Sequence, residues 1–95
     1  MNVEKAKKRI AKRVKMGFKG YPQLTLAYFG QSADLASDVV ATLVLEDGEP
    51  PQEQRFCSKG DVREDEFIQS ALVKIIERTE AKSVLEVQGT SIFPH

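Results

Sequence analysis

Tryptophan is absent from this sequence, and cysteine and histidine occur once each. A single cysteine, Cys57, excludes an intrachain disulfide and every zinc pattern built on two or four thiolates. The chain is thus compatible with a reducing compartment. The one histidine, His95, stands in the last position, where order is poor, so no imidazole is expected to serve a Ser-His-Asp or Cys-His constellation. No apolar run approaches the roughly 18 residues of a membrane span. The basic N-terminus is not followed by the apolar stretch of a secretory signal, and it lacks the serines of an organelle presequence. These absences lead to the expectation of a cytoplasmic protein without metal, cofactor or membrane partner, and without enzymatic activity.

Net charge is also absent, but only in sum. Residues 1–20 carry eight Lys/Arg and one acid, a net +7. Residues 21–95 carry six Lys/Arg and thirteen acids, a net −7. Such a split is an argument about partners rather than about fold. The 95 residues are read as one domain, with 88–95 as a flexible tail.

The basic segment "EKAKKRIAKRVK" spaces Val3, Ala6, Ile10 and Val14 on one helical arc. Lys5, Lys8, Arg9, Lys12, Arg13 and Lys15 fall on the opposite arc. The pattern predicts an amphipathic helix over 3–16, with Gly17 as its stop. Pro22 extends Tyr21. "QLTLAYF" (23–29) alternates as a strand, and the β-branched "DVVATLVLE" (38–46) reads as the central one. "DGEPP" is a turn, and the polar "QEQRFCS" (52–58) fits a strand near a sheet edge. Asp61 and Glu64 form a capping box for a second helix. Its stripe is Phe67, Ile68, Ala71, Leu72, Ile75 and Ile76. "SVLEV" (83–87) is a short fourth strand.

The fold class is therefore α+β: a two-layer α-β-β-β-α(-β) domain with an antiparallel meander and both helices on one face. The expected core is Ile10, Val14, Leu24, Leu26, Ala41, Leu43, Leu45, Leu72, Ile75 and Ile76. The other sheet face would hold Phe29, Val40, Val44 and Cys57, covered by Ile92 and Phe93 of the tail or by a second copy. Cys57 is expected as a buried strand thiol.

The order α-β-β-β-α over about residues 3–80 resembles that of double-stranded RNA-binding domains. That family presents a Lys-rich start of its second helix to phosphates. Here the same place reads "DVREDE", and Asp61, Glu64, Asp65 and Glu66 would repel them. The resemblance therefore extends to the order of elements and not to the RNA-binding mode. "GFKG" (17–20) matches the G-x-x-G of K-homology domains. A helix follows that loop in the family. Here Tyr21-Pro22 and a strand follow, so a helix cap plus turn is the reading. The four acids read as caps and dipole partners rather than as a cation site.

The basic helix is the strongest functional feature. Lys5, Lys8, Arg9, Lys12, Arg13, Lys15 and Lys19 are the expected contacts to nucleic acid or another anionic partner, made by a non-enzymatic binding module. The alternative is a protein-interaction domain or homodimer that uses the segregated charge or the outer sheet face.

Overall fold

The computed structural model describes residues 2–92. Helix α1 spans Val3–Lys15. Asn2 caps it, accepting the Lys5 N–H at 2.9 Å. Gly17 ends it in the left-handed region, at φ +73°, with its N–H on the Val14 carbonyl. Strands β1 (Gln23–Gly30), β2 (Asp38–Val44) and β3 (Gln52–Cys57) form the expected meander, each antiparallel to the one before. A 3-10 turn (Val62–Glu64) leads into α2 (Glu66–Thr79), and β4 (Ser83–Ile92) follows.

The sheet order is β3-β2-β1-β4. β4 pairs parallel to β1, so the sheet is mixed rather than a pure meander. The cause is the α2 crossover, which returns the chain in the direction of β3, two reversals from β1. β4 is also longer than expected. It continues to Ile92, so residues 88–92 are strand rather than tail. Phe93 and His95 lie outside the described residues.

Both helices pack on one sheet face. Leu24, Leu26 and Tyr28 of β1 face inward beside Val39 and Ala41 of β2 and Val84 of β4. Ala6, Ile10, Ile68, Leu72, Val73 and Ile76 close over them. Gly30 is required where the chain doubles back, because a Cβ there would stand 1.9 Å from the Leu35 carbonyl oxygen.

Several expectations are corrected. Asp61 caps the 3-10 turn, and Asp65 caps α2 by accepting the Ile68 N–H at 3.1 Å. The turn comes first because it buries Val62 completely, tied by its N–H to the Ala36 carbonyl at 2.7 Å. The buried stripe of α2 is rotated toward Gln69 and Val73, since the helix packs on α1 as well as on the sheet. Phe67 is consequently 89% exposed. Ile75, Val14 and Leu43 are half-buried at the core margin, and Leu45 lies exposed beyond the end of β2. Of the expected outer-face cover, Ile92 is itself exposed.

Candidate anion-binding surface

α1 buries Ala6 and Ile10, which turns the opposite side of the helix to solvent. Lys5, Lys8, Lys12 and Lys15 are exposed there, in a row about 15 Å long at the helical rise. Lys19 is exposed in the turn that follows. Among the described residues none of these five makes an ion pair.

The other cations of the segment are engaged. Arg9 reaches Glu77 of α2 at 3.4 Å, an exposed and therefore weak pair. Arg13 is half-buried, its guanidinium donating to the Ala81 carbonyl just past α2. Lys7, outside the expected set, pairs with Glu64 at 2.6 Å. Seven anticipated contacts thus divide into five lysines open to a partner and two arginines that link the helices.

Between the C-terminal ends of α1 and α2 lies an open groove of about 860 Å³. Arg9, Lys12, Arg13, Lys19 and Lys82 line it against Glu77 and Glu80, over Met16, Val73, Ile76 and Ala81. Lys82 lies outside the expected set. It arrives through the α2–β4 connection, held by its N–H on the Pro22 carbonyl at 2.9 Å. No sequence signal marks that approach.

A groove on the other flank of α1 has mixed charge. There the Arg63 guanidinium, with the amides of Arg63 and Ala36, holds Asp61 down to about 2 against the opposing effect of its burial. Burial and then Glu86 push the Tyr28 phenol above its ordinary value, and its hydroxyl donates to Glu86 at 3.2 Å. The phenol therefore stays protonated at neutral pH. Two other acids of "DVREDE" act locally. Glu64 meets Lys7, while Asp65 caps α2 and accepts the Ser58 hydroxyl at 3.1 Å.

Cys57 is exposed rather than buried. It sits on the edge strand β3 opposite Asp38, whose Oδ2 accepts from the thiol at 3.3 Å and from Arg55 Nε at 2.7 Å. The bond to Asp38 raises the thiol pKa.

Among the described residues no helix is long and apolar enough to cross a membrane. No protein-family model, curated protein or solved structure matches the chain, so the likeness to double-stranded RNA-binding domains rests on element order alone.

Proposed function

We propose that this chain is a small, non-enzymatic binding module of the cytoplasm that docks nucleic acid on the solvent side of α1. One observation carries the reading: Lys5, Lys8, Lys12 and Lys15 stand in a single exposed row, with no ion pair among the described residues. Folding does not need that arrangement, because exposed like charges only repel one another and are merely tolerated under salt screening. A polyphosphate makes it favourable, since each neutralised phosphate releases condensed counterions. Arg9 and Arg13 contribute less, being turned to Glu77 and Ala81.

Fluorescence anisotropy with labelled oligonucleotides across a salt series tests the reading. Contact with about 4–5 duplex phosphates gives a slope of log K against log salt of roughly −4. Reversing Lys8 and Lys12 to Glu abolishes binding, while stability stays within about 0.5 kcal/mol. Absence of binding at about 50 mM salt overturns the proposal.

A second reading, a protein-interaction domain or homodimer, is favoured by the outer sheet face. Val40, Val44 and Leu85 lie there, and none of them is buried. Sedimentation equilibrium separates this reading from the first, since self-association needs no added polyanion.

A further inference from the structure

We infer that the polyanion is single-stranded nucleic acid, with one base stacked on Phe18 and the backbone passing Lys15, Lys19 and Lys82. This rests on the nucleic-acid reading and adds the strandedness of the ligand to it. Phe18 follows directly on the lysine row and is 57% exposed. Its turn is tied down rather than loose. The Lys19 N–H donates to Ser83 Oγ at 2.7 Å, and that hydroxyl donates to the Gly20 carbonyl at 2.6 Å. The ring meets Tyr21 edge-on, centroids 5.5 Å apart and planes at 77°. An aromatic side chain is thus presented to water in a held position.

Its turn also carries or meets cations. Lys15, three residues before it, and Lys19, directly after it, are exposed. Lys82 lies against the same turn, its Cδ 3.8 Å from where a Cβ on Gly20 would stand. Met16, 49% exposed, lines the groove between the helices. A stacking ring set in a cationic track is the combination that binds single strands without regard to sequence. In a duplex the base faces are already stacked on one another, so a duplex would use the lysines and leave Phe18 idle. The lysine row alone does not discriminate between the two forms.

The test compares three labelled probes at about 50 mM salt: a short oligodeoxythymidine, an abasic strand of equal length, and a duplex. The unaltered chain is expected to bind the base-bearing strand most tightly. Phe18→Ala lowers that affinity about 5- to 150-fold and leaves the abasic strand unchanged. Phe18→Trp keeps the affinity, and as the chain's sole tryptophan its fluorescence is quenched on binding. Thermal melts confirm that the variants fold; should Phe18→Ala not fold, the quenching decides. Equal affinity for base-bearing and abasic strands, an unaffected Phe18→Ala, or an unquenched Trp at saturation overturns the stacking while leaving phosphate docking intact. Failure of all three probes to bind a folded, unaltered chain removes the nucleic-acid reading and this inference together.

Discussion

Arg13, in the last turn of α1, donates its guanidinium proton to the carbonyl of Ala81, two residues beyond α2. A cation from the most basic segment therefore closes the C-terminal end of the other helix, where the backbone dipole favours positive charge.

Arg13→Ala is expected to lose about 1.5–3 kcal/mol in urea melts, the usual cost of losing a hydrogen bond to a charged group. Lys12→Ala, adjacent and exposed, stays within about 0.5 kcal/mol. Equal effects of the two substitutions would mean that only the charge counts and the contact does not.

Leu72 is fully buried and Phe67 is 89% exposed on the same helix. Leu72→Ala is expected to cost about 2–5 kcal/mol, as truncation of a core leucine does. Phe67→Ser changes stability by about 0.5 kcal/mol or less. Denaturant melts of the two variants check the orientation of α2.

Asp61 is held at about 2 when folded, against roughly 3.9 when unfolded. Its contribution to stability is complete above the unfolded value and is lost as pH falls from about 4 to about 2. Asp61→Asn should lower the melting temperature at neutral pH and flatten the acid limb across that window. Melting curves for the two proteins that run parallel from neutral pH to about pH 2 would show that the Arg63 pairing contributes nothing.

Cys57 carries a raised pKa because its thiol is bonded to the Asp38 carboxylate. Asp38→Asn removes that acceptor charge, lowers the thiol pKa and increases the thiolate fraction. Alkylation by iodoacetamide, followed across alkaline pH, should therefore be faster in the variant and have its midpoint at lower pH. An unchanged midpoint would exclude Asp38 as the cause.

Local periodicity made much of this molecule legible. β1 alternates buried Leu24, Leu26, Tyr28 and Gly30 with half-buried neighbours, as its sequence implies. The row of lysines on α1 follows directly from helical spacing. What stayed hidden depends on distant partners. Arg9 and Arg13 find theirs 68 residues away; helical spacing sets Arg9 at the edge of the lysine row and Arg13 beside the buried Ala6 and Ile10, but it does not reveal Glu77 or Ala81 as their partners. β4 beyond Val87 reads as polar and glycine-containing, yet it continues because β1 supplies a ladder across a register shift near Gly89. Phe67 looked like core because the spacing of α2 also fits a stripe turned toward Ile75. The packing of Val73 near α1 decides the rotation instead.

The parallel pairing of β1 with β4 also sets an order of events during synthesis. β1 meets β2 across a short connection, but Gln23 must wait for Ser83 and Tyr28 for Thr90. Contacts so far apart in the chain close slowly, since the intervening loop entropy is lost before the contact forms. While residues 83–92 are still being made, β1 has one bare edge, and Leu24 and Leu26 lack the cover of Val84. A ribosome that stalls in that interval holds out a strand ready to pair with any neighbouring chain.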